Sequence, residues 1–210
     1  MWFTLLLACS PMRKVNIIAT CIVCVFSSSC SPRDFLTRRL AADLIAQSSL
    51  FRAPQQFQLQ TGVVNNQDYP SSSYAALQHR GWISAASVNC PPAVAPPPCW
   101  ELTLTPAGVD TIQNLIAPGE AEKRSFGFPV ARRELIAISG ISKRWGAADV
   151  EFTWKWVPLN EVGAALYSSE AHYRSVVAFR DYDDGWRVVE KASQLGEPLE
   201  QAIEDAQPTE

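Results

Sequence analysis

Histidine is almost missing from this chain: His79 and His172 are the only 2, far apart, and neither sits in a recognisable motif. That removes the commonest acid–base partner and the commonest metal ligand from most positions. The sequence also has no GxSxG elbow, no HExxH, no GxGxxG turn and no P-loop. No nucleophile, hydrolytic zinc, dinucleotide or nucleoside triphosphate is announced by motif. Cations are not in excess, with 18 Lys and Arg against 21 Asp and Glu and a formal net charge of −3. A nucleic-acid surface is normally basic, so this balance argues against one. No run reaches the ~20 apolar residues that a membrane span needs. There is no internal repeat. These absences predict a protein that is not an enzyme, with no cofactor, no metal and no nucleic-acid partner.

What is present at the amino end is a targeting pattern. Met12-Arg13-Lys14 supplies positive charge, Val15 to Phe26 is a short apolar segment, and Ser27-Ser28-Ser29 precedes Cys30. This is the layout of a secretory signal. The run SSSC resembles the end of a bacterial lipoprotein signal, with Ser27 standing where that family has a branched apolar residue. The resemblance covers the first 30 residues. It implies that Cys30 is acylated and becomes the first mature residue, and that residues 1–11 precede the true start. Ser31 after the cysteine implies the periplasmic face of the outer membrane. The alternative box, Leu6-Leu7-Ala8-Cys9, has no basic start and no room for an apolar core. Several acyl chains would hold the protein firmly, where one binds only marginally.

Of the 6 cysteines, Cys9, Cys21, Cys24 and Cys30 fall in this leader or at its end. Cys90 and Cys99 remain. Two cysteines a short loop apart in an oxidising compartment predict a disulfide. Closing such a loop contributes about 2.7 kcal/mol on chain-entropy grounds. Zinc is the other option, but two thiols and two scattered histidines make a poor ligand set.

Hydrophobic residues make up 47 % and charged residues 19 % of 210 residues, enough apolar content to bury a core. Pro32 to Phe51 carries Leu36, Leu40 and Leu44 at every fourth position, with Ile45 widening the stripe, and predicts an amphipathic helix. FQLQTGVV from Phe57 to Val64 alternates as a short strand. A helix from Ser72 to His79 is expected to stop at Gly81. Trp82 to Val88 and Trp100 to Thr105 read as two strands around the proline-rich loop between Cys90 and Cys99, and Thr105-Pro106 opens another helix to about Ile116.

The run ALQHRGWIS…CWELTLTPAG resembles the second half of a winged-helix domain over about 45 residues, Ser71 to Ile116. The resemblance implies a helix followed by a hairpin "wing" and puts Tyr74, Gln78, His79 and Arg80 at the surface. The helix has one arginine and the wing has prolines in place of cations, so DNA binding is not implied with the shape.

Ala121 to Ser125 is a charged linker that predicts a boundary between a unit of residues 30–120 and a sheet unit of 126–191. In the second unit the strand pattern is clean. Val150, Phe152, Trp154 and Trp156 share one face, with Glu151, Thr153, Lys155 and Val157 opposite. Pro158 ends that strand. Asn160 caps a short helix, which Gly163 weakens. Tyr173, Ser175, Val177 and Phe179 share a face of the next strand, and Asp183-Asp184-Gly185 turns the chain into a final one beginning at Trp186. Arg133 to Ile141 makes a fourth strand. The cluster Asp181 to Gly185 has Gly fifth and Ala192 twelfth, where an EF-hand calcium loop needs Gly sixth and Glu twelfth. It predicts a hairpin turn. The acidic tail, 192–210, is expected to fray.

The fold expected is therefore α+β: helices on a curved antiparallel sheet of about four strands, preceded by a smaller winged-helix-like helix and hairpin unit. The sheet pattern, over the last ~65 residues, resembles nuclear-transport-factor-like or cystatin-like folds. In those folds the concave side often holds a small ligand, though fold alone does not fix function. Trp154, Trp156, Tyr173 and Phe179 are either core or a binding face for a partner protein or a small apolar ligand. The function expected is an exported, lipid-anchored binding module. The alternatives are an enzyme built from dispersed carboxylates (Glu134, Glu151, Glu161, Glu170) in a cone-shaped cavity, and a winged-helix regulator.

Overall fold

The longest hairpin of the chain sets the frame for everything else. In the computed structural model, which describes residues 35–65, 67, 69–92, 97–116, 124–191 and 196–209, strand β5 (Ser125–Arg144) turns through Trp145-Gly146 into β6 (Ala147–Pro158). Along β6 the even-numbered side chains from Ala148 to Trp156 are all buried and the odd-numbered ones are half-exposed. The strict period of two thus produces one dry and one wet face. β5 carries two irregularities in its pairing with β6, between Leu135 and Ala137 and between Ile138 and Gly140. Each extra residue raises the local twist, and the sheet curls strongly.

The α+β build is as expected, but the sheet has six strands rather than about four. Its order is β1-β5-β6-β7-β8, with β9 also beside β7. Here β1 is Gln55–Gln60, β7 His172–Tyr182, β8 Gly185–Val188 and β9 Gln207–Thr209. The two additional strands come from places where the sequence hides them. Phe57 to Val64 reads as one strand, yet Gly62 takes φ +86° and divides it. β1 joins the large sheet, and β2 (Gly62–Asn65) joins a small sheet of order β2-β4-β3, with β3 Ile83–Val88 and β4 Cys99–Leu104. A positive φ is cheap only for glycine, so this residue is the bend.

The tail also departs from the expectation of fraying. Leu199–Glu204 forms a helix with Leu199 and Ala202 buried, and β9 pairs with the start of β7. Backbone bonds from Leu199 N to Val189 O (2.7 Å) and from Ala178 N to Glu197 O (2.9 Å) hold it. Two apolar positions three apart suffice for one helical turn to dock, which a count of large side chains overlooks.

The helices among the described residues are α1 (Arg38–Gln47), α2 (Ser49–Arg52), α3 (Ser72–His79), α4 (Pro106–Ile112), α5 (Glu161–Leu166) and α6 (Leu199–Glu204). The single helix expected up to Phe51 is broken at Ser48. Its hydroxyl donates to Ile45 O (2.8 Å) and accepts from Phe51 N (3.2 Å), ending one helix and capping the next. Thr105 Oγ1 accepts from Gly108 N (3.0 Å) and donates to Gly81 O (2.6 Å). A Cβ on Gly108 would overlap the Trp82 carbonyl, so α4 packs there only because the residue is glycine. The same holds for Gly163, whose α-carbon faces the Val130 carbonyl of β5. Glycine lowers helix propensity, and here close approach is what it gives in return.

Thr37–Glu210 is one compact unit. A single buried cluster contains Leu77 and Leu102 beside Phe126 and Phe128 of β5 and Val162 of α5. The charged segment near residue 124 therefore marks no break in packing. On the other side of the sheet centre, Phe51 of α2 meets Phe152 and Trp154 edge-on at 6.2 and 6.5 Å. The residues up to 34, with Cys30 and the expected signal, lie outside the described residues, as do 121–123 of the linker. Among the described residues no helix is long and apolar enough to cross a membrane.

Candidate functional site

The aromatic face of the sheet is occupied. Trp154 is 1 % exposed and Phe179 is fully buried. The Trp154 ring stacks on Tyr173 (4.8 Å, 24° between planes) and meets Trp156 edge-on (5.1 Å). Its Nε1 donates to Ser175 Oγ at 3.0 Å. The polar edge that would serve a ligand is thus spent inside the fold. Trp156 is buried against Tyr167 (5.0 Å). Of the four aromatic candidates, Tyr173 alone is partly open.

Where this aromatic row reaches the rim, it carries a cation. The Arg133 guanidinium lies 4.8 Å from the Trp156 ring centre and 6.0 Å from that of Trp154. Its Nη1 donates to Leu50 O (3.0 Å) and Ala53 O (3.2 Å), carbonyls in and just after α2. Its Nε is buried with no hydrogen-bond partner. Among the described residues no carboxylate lies within ion-pair distance of it. Burial draws its pKa down, against a smaller opposite influence from Tyr167. Arginine stays charged through such a shift. A half-buried cation thus rests on two indoles at the rim of the sheet core, with no ion pair of its own among the described residues.

The sequence positions this arginine by an exception to its own pattern. Arg133 falls in the apolar register of β5, two residues after buried Ala131 and two before Leu135. Its partner across the ladder is Trp156. The pairing of β1 with β5 ends at Gln55 and Ala131, so that edge of β5 is no longer covered by β1 from Arg132 onward. α1 and α2 lie along that edge, and recesses open beside Arg133. One of about 450 Å³ is lined by Ala46, Phe51, Arg52, Arg132, Arg133, Glu134 and Leu135. Another of about 220 Å³ is lined by Leu50, Ala53, Pro54, Arg133, Glu200, Ile203 and Glu204. The first holds three guanidinium groups and one carboxylate. The signal that was available in the sequence is an arginine in phase with the apolar set, next to a second arginine.

The carboxylates considered for acid–base work are each engaged or apart. Glu134 lies 3.4 Å from both Arg132 and Lys155. Glu151 accepts from Ser139 Oγ (2.8 Å) and pairs with Arg174 (2.9 Å). These contacts, Ser139 first, hold its carboxyl below the usual range. Glu161 is in the first turn of α5, and Glu170 is exposed in the turn before β7. Among the described residues no three His, Cys, Asp or Glu side chains are grouped to hold a metal. His79 and His172 are both exposed, on different elements.

The helix and hairpin unit contains the expected Cys90–Cys99 disulfide, joining the chain after β3 to the start of β4. Tyr74, which the winged-helix resemblance puts at the surface, is buried instead, and its hydroxyl accepts from Gln60 N at 2.8 Å. It faces inward because α3 packs against β3 and α5, with the Tyr74 ring against Phe57 of β1. Gln78, His79 and Arg80 are exposed. The segment Asp181 to Gly185 is a two-residue hairpin turn, Tyr182 pairing with Gly185. No protein-family model, no curated protein and no solved structure matches this chain.

Proposed function

We propose that this chain is an exported, lipid-anchored, non-catalytic binding module of the cell envelope, tethered through Cys30 at the periplasmic face of the outer membrane. Of the two occupants expected for the aromatic face, a partner protein is favoured over a small apolar ligand, because helices already fill that face. The observation that carries the reading is the recess at the β5 edge, where Arg52, Arg132 and Arg133 face a single carboxylate, Glu134. Such an excess of guanidinium groups suits a carboxylate offered by a partner, which arginine receives in a two-pronged geometry. The partner is thus a protein that presents an acidic side chain or a chain terminus.

The build of the first half is read as winged-helix-like. A helix ahead of a hairpin and the strand order β2-β4-β3 support that shape. Use as a DNA reader is not part of the proposal, since α3 and its end offer one arginine, Arg80, and phosphate contact needs more.

The test is charge reversal at a solvent-facing member of the recess. Arg132 is about half-exposed, so Arg132→Glu leaves the core alone. A photo-crosslinking residue at position 46, which lines the same recess, should in intact cells give a discrete adduct that disappears with Arg132→Glu. The same probe at position 176, on the open face of β7, should give none. An adduct at 46 that survives the reversal would remove the recess from the interface.

A further inference from the structure

The β5–β6 hairpin ends in an indole that stands wholly in water. Trp145 is 102 % exposed, whereas the other exposed large apolar side chains among the described residues reach at most 54 %, at Phe35. Single, partly exposed apolar residues such as Ile136 and Leu159 are ordinary surface. A complete tryptophan at the apex of a tight turn is a different matter, because it withholds its whole apolar area from the fold. The neighbouring hairpin brings a second ring to the same end. Asp181 N donates to Gly146 O at 3.1 Å, so the two turns lie side by side, and Tyr182 is 47 % exposed with the Arg187 guanidinium 5.1 Å from its ring centre. Charges around the rings are of both signs: Arg144 pairs with Asp149 at 2.6 Å and Arg187 with Asp184, and Lys143, Asp181 and Asp183 lie in or beside the same two turns.

Indole and phenol rings, apolar in body and polar at one edge, collect at the water–lipid boundary. A rim of both signs does not select for an anionic surface. We infer that Trp145, with Tyr182 beside it, is where this body rests on a lipid surface, the indole entering at headgroup depth. The inference rests on the tethered reading above and adds an orientation to it. Arg38, at the start of α1, donates to Ser139 O at 3.2 Å, and α2 ends beside Arg133, so α1 runs away from the tip. The chain therefore enters the body from the tip side. Ser139 precedes Trp145 by six strand residues, roughly 20 Å. The arginine recess, twelve residues back from Trp145 along β5, is then held roughly 40 Å out from the bilayer, open to a partner.

The test uses protein extracted from envelopes with its native amino end, placed in phosphatidylcholine vesicles whose acyl chains carry bromine near the headgroup. Bromine quenches indole emission at short range. Wild-type emission should fall on these vesicles relative to unbrominated ones, and emission of Trp145→Ala should not. The fall should persist in high salt, because the contact is not ionic. An unquenched wild type overturns the inference. Equal quenching in the variant overturns it too, by placing another ring at the lipid, as does a change in emission that needs an added envelope protein. The mass of the first residue in the same sample reports acylation. An acylated but unquenched protein sinks the docking tip and leaves the anchor standing, whereas an unacylated but quenched protein sinks the anchor and leaves the tip.

Discussion

A tryptophan in a strand is ambiguous until the destination of its N–H is known. At Trp154 the proton goes to Ser175 and the ring is enclosed by Phe51, Trp156 and Tyr173, which makes it structural. Trp154→Ala should cost about 3–5 kcal/mol in urea unfolding, the range for emptying an aromatic core site. A loss under about 1 kcal/mol would show that the cavity was never closed to begin with. Glu151 is a residue whose value depends on pH. Its folded-state pKa lies below the ordinary carboxylate value, so the native protein binds fewer protons than the unfolded chain in that window. The stabilisation is complete above the ordinary carboxylate pKa and is lost as pH falls through the lowered one. Glu151→Gln should therefore narrow the gap in melting temperature between neutral and acid buffer. An unchanged gap would mean that Ser139 and Arg174 do not favour the charged form. The side chain is open to water, so the effect is modest.

Among elements, those written as period or as cap were legible. β6 shows its buried face letter by letter, Asn160 caps α5 through Gly163 N at 2.9 Å, and Thr105-Pro106 opens α4 as expected. What stayed hidden depends on neighbours in space. The division of one alternating run into β1 and β2 rests on a torsion at Gly62, which alternation does not report. β9 is three polar residues, Gln207–Thr209, that form a strand only because the edge of β7 is free at His172 to Arg174. Gly163 and Gly108 read as weak points in helices until the carbonyls that they approach are known. Of the site, the aromatic candidates were visible by their density, but density marks a core as readily as a surface. Arg133 was passed over because one arginine next to another looks solvated, when its place in the apolar register was the informative property.

For the molecule as a whole, the arrangement of ends matters most. The start of α1 lies toward the Trp145 turn, and the arginine recess lies away from it. Cys30→Ala should move the protein from the membrane fraction to the soluble fraction, and unchanged fractionation would remove the anchor. The bend at Gly62 has a last consequence. Because β1 and β2 are one ribbon stitched into both sheets, neither layer has a lifetime of its own. A rupture that frees Leu59 from β5 tugs on Val64 in the smaller layer three to five residues later, so damage in one half is felt at once in the other.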